Sequence, residues 1–239
     1  MTMLFAMSVL AQPALAFDHS HATFGHFLEG AVSNSGVDYD ALKSKKSELD
    51  AYLKQVADAP ASSFSHDEQL AFYVNAYNAL TLNLVITENP KSIKDLNGGK
   101  VWDERMFSVG RKKMSLNQIE HGHIRKLEDG RIHAVVNCAS KGCPPLPPKP
   151  LTPTGIQSQL DAAARNWVAT NAYEMKGSTA LLSKVFNWYG DDFTRLPAGT
   201  SSTEDKQKAA VEFIGKYGGD ASAATQFEWA PYSWARNSK

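Results

Sequence analysis

Residues 65–90 read SHDEQLAFYVNAYNALTLNLVITENP, and this stretch decides the fold. Ser65 and Glu68 have the spacing of a capping box, in which each side chain bonds the other residue's backbone N–H, so a helix is predicted to begin here. The helix is expected to cover residues 69–87 and to stop at Asn89-Pro90, because proline cannot continue it. Apolar residues occur on nearly every face, which predicts the central buried helix of a domain. Its three asparagines argue against a membrane span.

Downstream of this helix the sequence alternates between strand and helix signals. Residues 102–109 and 112–115, joined through Gly110-Arg111, indicate a hairpin, and residues 116–127 indicate a short helix capped by Ser115. Residues 132–138 are rich in valine and alternate in part, which predicts an interior strand.

The C-terminal part has the same mixed character. Apolar positions recur at helical spacing from Thr154, residues 180–185 favour a further strand, and residues 204–217 favour the last helix. The predicted class is therefore α+β, a single domain with an antiparallel sheet packed on the central buried helix.

Composition narrows the function classes. The 239 residues include 43% hydrophobic residues, an ordinary share for one globular domain. Lys+Arg and Asp+Glu both number 25, so no overall positive field exists to attract nucleic acid or anionic lipid. We expect neither a nucleic-acid partner nor integral membrane association.

The N-terminus resembles a secretory signal. Residues 1–16, MTMLFAMSVLAQPALA, contain an apolar run too short to span a bilayer and end in the small-x-small pattern Ala14-Leu15-Ala16. Residues 17–239 are then the mature domain, periplasmic or secreted. An oxidising compartment makes paired cysteines a candidate disulfide.

Both cysteines lie in residues 131–145, RIHAVVNCASKGCPP, which is the segment richest in candidate reactive side chains. Cys138 and Cys143 flank a short turn-forming loop, and a disulfide between them is one interpretation. The other makes Cys138 a nucleophile at a strand end, where a nearby cation such as Lys141 or a histidine would lower its pKa.

A base for such a nucleophile is not obvious from the spacing. In a strand His133 shares a face with Asn137 and not with Cys138, and the separation along the strand is roughly 17 Å. His121 and Glu120 on the preceding helix offer an alternative base and its orienting carboxylate. The usual paired-ligand spacings of a zinc site are absent, so no metal and no cofactor are expected.

Two further groups of side chains stand out. Asn75 and Asn78 lie on one face of the apolar helix, where they either hydrogen-bond to the backbone or contribute to a site, with Asn78 as a possible oxyanion donor. Cleavage after Ala16 would leave His19 third from a free amine, the nitrogen set that copper(II) prefers, although a flexible tail with incidental histidines is the simpler interpretation.

The landmarks of the chain resemble the domain-of-unknown-function 547 family, DUF547, from about residue 26 to residue 237. They include FYVNAYN at 72–78, IEH at 119–121, RIHA at 131–134, NCAS at 137–140, Cys143-Pro144, Trp188-Tyr189 and the closing YSWARN at 232–237. Departures are His123, where the family more often has an apolar residue, and Ala235-Arg236 in place of a more usual Ser-Leu.

A remoter resemblance is to transglutaminase-like and papain-like cysteine hydrolases, in which a buried helix precedes a strand beginning with His-Ala. That helix carries the nucleophile there, whereas here it carries Asn75 and Asn78 and no cysteine.

Two functions remain open. One is a non-catalytic module with a Cys138–Cys143 disulfide, in which Asn75, Asn78, Asn137 and Trp234 contribute to binding an unidentified small molecule, peptide or envelope protein. The other is a thiol-dependent hydrolase or acyl transferase of the cell envelope, with Cys138, His133, His121, Glu120 and Asn78 as its catalytic group.

Overall fold

The computed structural model describes residues 16–239, so the predicted signal peptide, residues 1–16, lies almost entirely outside the described residues. Within this range the helices are α1 Ala22–Leu28, α2 Tyr39–Ser44, α3 Lys46–Asp58, α4 His66–Glu88, α5 Val101–Glu104, α6 Leu116–Ile119, α7 Ile156–Thr170, α8 Lys184–Trp188, α9 Gly190–Thr194 and α10 Thr203–Lys216. The strands are β1 Val32–Ser33, β2 Gly36–Val37, β3 Phe107–Val109, β4 Lys112–Met114, β5 Tyr173–Lys176, β6 Thr179–Leu182 and β7 Gln226–Trp229.

Helix α4 is the central helix that the sequence predicts. Ser65 and Glu68 form the expected capping box, with the Ser65 N–H donating to Glu68 Oε2 at 2.7 Å. The helix ends at Asn89, which takes the left-handed conformation before Pro90. By length and hydropathy α4 could cross a bilayer, but 89% of its apolar window is buried inside the fold. The apolar character of α4 is therefore explained by its place in the core.

The core has two parts. The larger surrounds α4 and includes buried side chains of α1, α2, α3 and the α6 region. The smaller joins α7 to β6 and to α8 and α10, with Trp167 stacked on Phe186 at 4.7 Å between ring centroids. Ala134 belongs to the smaller cluster while its neighbour Val135 belongs to the larger, so the two cores meet at this segment.

The α+β class and the single domain are confirmed, but the sheets are smaller than expected. β1–β2 and β3–β4 are separate hairpins, and β5, β6 and β7 form one three-stranded sheet. Its β6–β7 pairing is parallel, with Leu182 opposite Trp229, so this sheet is mixed and not antiparallel. Helix α4 packs mainly on other helices because its apolar surface extends around the whole helix.

Residues 132–138 are not a strand, and this prediction was wrong. The chain forms a 3-10 helix over Gly130–Ala134, begun by Asp129, whose side chain accepts the Arg131 N–H at 2.9 Å. The Arg131 guanidinium also reaches Asp161 on α7 at 2.7 Å. A short buried apolar run fits either a strand or a helical turn, and here the contacts of Arg131 favour the turn.

The C-terminal segment, residues 232–239, lies between two loops and pairs with both. Trp234 O accepts from Ile93 N at 3.2 Å, and Ala235 O accepts from Lys141 N at 2.8 Å. Asn237 N donates to Ala139 O at 3.0 Å. The backbone of this segment therefore fixes the loop between the two cysteines.

The N-terminal residues pack onto the fold and do not form the flexible tail that was expected. The Phe17 ring lies 5.3 Å from that of Phe72 on α4, and His21 is almost fully buried. His21 Nδ1 lies 2.7 Å from the Tyr52 hydroxyl. These contacts do not test the alternative interpretation, in which His19 contributes to a copper(II) site after cleavage.

His21 makes folding stability dependent on pH. Burial, assisted by the charge of His19, lowers its pKa from 6.5 to about 4. Below pH 6.5 the unfolded chain takes up the proton before the folded chain does, so stability falls as the pH drops from 6.5 towards 4, by roughly 3 kcal/mol for this group. We expect His21→Asn to flatten the free energy of unfolding over this range, measured by urea titration at several pH values.

The exposed His66 provides the control for that measurement, because His66→Asn should leave the pH dependence unchanged. If His21→Asn and the native chain lost stability in parallel between pH 6.5 and 4, His21 would not be the group responsible.

Candidate functional site

A cavity of about 220 Å³ lies where the C-terminal segment crosses the cysteine loop. Its walls come from α4, α5, α8 and the turn that continues α6, which are distant in sequence. Most of the large side chains lining it are aromatic: Tyr77, Trp102, Trp188, Tyr189, Tyr232 and Trp234. The polar and charged groups that face it are few, which is typical of small-molecule sites.

The outer wall is a cluster of three aromatic rings that we call the aromatic roof: Trp188, Tyr232 and Trp234. Ring centroids lie 4.7 Å apart for Trp188 and Tyr232, 4.5 Å for Tyr232 and Trp234, and 5.6 Å for Trp188 and Trp234. Trp188 is 45% exposed, an unusual degree for so large an apolar side chain. The three rings of the roof thus pack on one another, and Trp188 is its solvent-exposed part.

Cys138 and Cys143 form a disulfide, as one of the two interpretations of the sequence predicted. Both residues line the cavity. The Tyr232 hydroxyl donates to Cys143 Sγ at 3.2 Å and lies 2.8 Å from Ser140 Oγ. Burial raises the pKa of Tyr232 to about 12, so the hydroxyl keeps its proton at neutral pH. The disulfide loop and the aromatic roof are therefore joined directly.

Gly142 is the point of closest contact between this loop and the roof. A Cβ placed there would lie 2.7 Å from the Tyr232 ring. We expect Gly142→Ala to displace Tyr232 and to lower the free energy of unfolding by about 1–3 kcal/mol, the usual cost of overpacking. Chemical denaturation measures the loss, and the change in tryptophan emission reports the opening of the roof.

Gly122 supplies the matched control, because within residues 16–239 no atom outside its own helical turn lies within 4 Å of a Cβ placed there. Gly122→Ala is expected to leave the roof unchanged. Equal stability of the two variants would mean that the Tyr232 contact contributes nothing.

Glu120 lines the inner part of the cavity and is 4% exposed. It begins a π-helical turn, Glu120–Ile124, that continues α6, a distortion frequent at functional sites. Burial raises the pKa of both Tyr77 and Tyr189, and the charge of Glu120 and its hydrogen bonding with each hydroxyl raise them further. Trp102 Nε1 donates to the Tyr77 hydroxyl at 3.2 Å. A carboxylate is thus held among tyrosine hydroxyls.

His133 also lines the cavity, and Asp192 orients it. His133 Nε2 lies 2.7 Å from Asp192 Oδ2, and the His133 ring packs on Tyr189 at 4.2 Å. Arg125 binds both oxygens of Asp192, at 2.6 and 2.8 Å. Burial opposes ionisation of Asp192, but the hydrogen bonds from His133 and Arg125 outweigh it and hold the pKa well below its usual value.

The three buried asparagines hold loops in place. Asn78 Nδ2 donates to Val135 O at 2.8 Å, and its Oδ1 accepts from Asn137 N at 2.9 Å. Asn75 binds Leu151 in the same two-bond manner, at 2.8 and 2.9 Å. Asn137 Nδ2 donates to Pro144 O at 2.7 Å. None of the three is among the residues that line the cavity.

The structure thus brings together some of the predicted site residues and separates others. Glu120, His133, Cys138 and Trp234 all line the cavity. His121 is exposed outside it, with Nδ1 3.0 Å from Arg125 Nη1. Among residues 16–239 no group of three or more His, Cys, Asp or Glu side chains is arranged to hold a metal ion.

Sequence reasoning missed Asp192, Tyr77 and Trp102 as contributors to the site. Asp192 lies 59 positions from its partner His133, and no local pattern marks such a pair. Trp188-Tyr189 and Tyr232 could have been found, since they belong to the family landmarks quoted above.

Comparison with known proteins relates one segment of the chain to a family and shows nothing further. No curated protein and no solved structure matches the chain significantly, so the remote resemblance to cysteine hydrolases has no support. The family model described as "Protein of unknown function, DUF547" matches residues 61–168, from the approach to α4 to the end of α7. This segment contains Glu120, His133 and both cysteines. Residues 61–168 are therefore similar to the DUF547 family.

Proposed function

We propose that the protein is an exported, non-catalytic binding domain that holds a small molecule, or one side chain of a peptide, in the aromatic cavity. The observation that carries the proposal is the cavity itself, apolar in its walls and with a buried carboxylate and an oriented imidazole facing inward. Its compartment would be the periplasm or the extracellular space, where a disulfide persists.

The size of the cavity limits the ligand. About 220 Å³ is below the roughly 300–1,000 Å³ typical of sites for drug-sized ligands. A compact ligand that contacts several aromatic rings at once would fit, and a folded protein surface would not. Partners larger than a peptide would have to insert a single side chain.

The disulfide has a structural role in this proposal. It closes the loop that pairs with the C-terminal segment, and its sulfurs contact the Tyr232 hydroxyl. Closing so short a loop stabilises the fold by about 2 kcal/mol in the chain-entropy account. Reduction is therefore expected to loosen the aromatic roof.

Ligand binding is tested by titrating a library of small aromatic and aliphatic fragments, observed by ligand NMR. Trp188→Ala should weaken the fragments that bind the native protein by about tenfold or more, as expected for an aromatic residue at a binding centre. Met106→Ala is the control, because Met106 is 46% exposed and does not line the cavity. Fragments that bind Trp188→Ala as tightly as the native protein would refute the proposal.

A thiol enzyme is the second candidate, and one observation favours it. His133, oriented by Asp192, lines the same cavity as Cys138, so a base and a thiol open onto one space. The two sulfurs are bonded to each other, so this activity requires reduction first. Alkylation after mild reduction tests it, since selective modification of Cys138 near neutral pH would favour the enzyme, and equally slow modification of both cysteines would favour the binding domain.

A further inference from the structure

Glu120 is a buried carboxylate without a cationic partner. It is 4% exposed, and none of the ion pairs formed within residues 16–239 includes it. Carboxylates are seldom fully buried unless a positive charge compensates them, because removing the charge from water costs several kcal/mol. The cavity is the side from which such a charge could come.

Two cations of the protein lie around the cavity, and each has a contact other than Glu120. The Arg125 guanidinium binds both oxygens of Asp192 and also contacts His121. The Lys94 ammonium lies 4.6 Å from the Trp234 ring centroid, on an exposed side chain. Neither cation forms an ion pair with Glu120, so the Glu120 carboxylate faces a cavity whose other lining residues include six aromatic side chains, several apolar residues, His133 and the exposed Lys94.

The aromatic side chains of the cavity favour a bound cation, and so does the Glu120 carboxylate. The face of a tryptophan or tyrosine ring attracts an ammonium through its quadrupole, and several rings around a carboxylate form the cage that recognises methylated ammonium groups. The position of Lys94 over Trp234 is an instance of this attraction within the protein. We propose that the cavity binds a small organic ammonium, with the cationic head against Glu120 and the surrounding rings.

This proposal rests on the proposed function and specifies its ligand class. The cavity volume of about 220 Å³ accommodates a trimethylammonium head with a short chain. A cation with a much bulkier head would exceed this volume. The ligand's chain would leave past the aromatic roof, which is the solvent-exposed side.

The test uses choline and its neutral carbon isostere, in which a tert-butyl group replaces the trimethylammonium group. Both are titrated by NMR into the native, disulfide-bonded protein. Choline is expected to bind about tenfold or more tightly than the isostere, because only the charge differs. Butylammonium is the third probe, and it distinguishes two kinds of ammonium head. If choline binds more tightly, the preferred ligand has a methylated ammonium, and if butylammonium binds more tightly, the preferred ligand is a primary amine.

Glu120→Gln provides the second arm and the exposed Glu29→Gln its matched control. We expect the first variant to lose about tenfold or more in choline affinity and the second to lose none. The comparison of choline with its isostere uses the native chain, so it stands even if Glu120→Gln fails to fold.

Equal binding of choline and its isostere would overturn the inference and leave the binding domain intact. The inference would also be overturned if neutral fragments bound the native protein and neither choline nor butylammonium did. If neither the fragments nor the ammonium probes bound, the proposed function would fail together with the inference.

Discussion

Asn78→Ala is expected to lower the free energy of unfolding by roughly 2–5 kcal/mol, since each buried backbone group left without a partner costs about 1–3 kcal/mol. The side chain satisfies two such groups, the Val135 carbonyl and the Asn137 N–H. Both lie in the segment that leads from His133 to Cys138. The loss is a large fraction of the roughly 5–15 kcal/mol that stabilises a typical domain, and chemical denaturation measures it.

Asn83 is the matched control for this substitution. It lies on the same helix, and its Oδ1 has no hydrogen-bond partner within the described part of the chain. Asn83→Ala should therefore cost little. If the two variants were equally stable, the loop after the 3-10 helix would be held by packing alone and not by Asn78.

The parts of the fold that were predicted correctly are those with local causes. The capping box of Ser65 and Glu68, the apolar run of α4 and the turn at Gly110-Arg111 are all encoded within a few residues. Helix α7 follows from the spacing of its apolar residues in the same way. Such signals depend on neighbours in sequence, so they are readable without the tertiary structure.

The segment from residue 132 to residue 138 failed for the opposite reason. Two of its backbone groups, Val135 O and Asn137 N, bond the Asn78 side chain, which lies 59 positions from Asn137. The N–H groups of Val135 and Val136 bond Ile132 O within the turn, and not a neighbouring strand. A valine-rich run has no local feature that distinguishes these cases. Because this segment is not a strand, the expectation that His133 and Asn137 share one strand face was also wrong.

The candidate site was predicted in part because its components come from different parts of the chain. The cysteine loop and Glu120 stood out as polar groups in apolar surroundings, which sequence can reveal. The aromatic roof required the pairing of Tyr232 with a loop 89 positions away, which sequence cannot reveal. Tyr232 also lines the cavity, so one wall depends on that pairing.

Asp192→Ala is expected to cost about 3 kcal/mol, toward the lower end of the range for breaking a buried ion pair, because Asp192 and Arg125 retain some solvent contact. The substitution leaves the Arg125 guanidinium and the buried His133 imidazole without their acceptor. Since the pKa of Asp192 is held below its ordinary 3.8, its contribution is fully present above that pH and lost as the pH falls further. The difference in unfolding free energy between the native chain and Asp192→Ala should therefore shrink below pH 3.8.

Asp191 offers the control on the same short helix, because it accepts from the exposed Gly199 N–H, at 2.6 Å, and from Ser201, and neither partner lines the cavity. Asp191→Ala should cost about 1–2 kcal/mol, the net value of one or two such hydrogen bonds. In Asp192→Ala the His133 ring also loses its fixed position against Tyr189. The ligand affinity of this variant should therefore fall together with its stability. A variant that lost stability but bound the same fragments as tightly would place His133 in the scaffold of the cavity and not among the groups that contact the ligand.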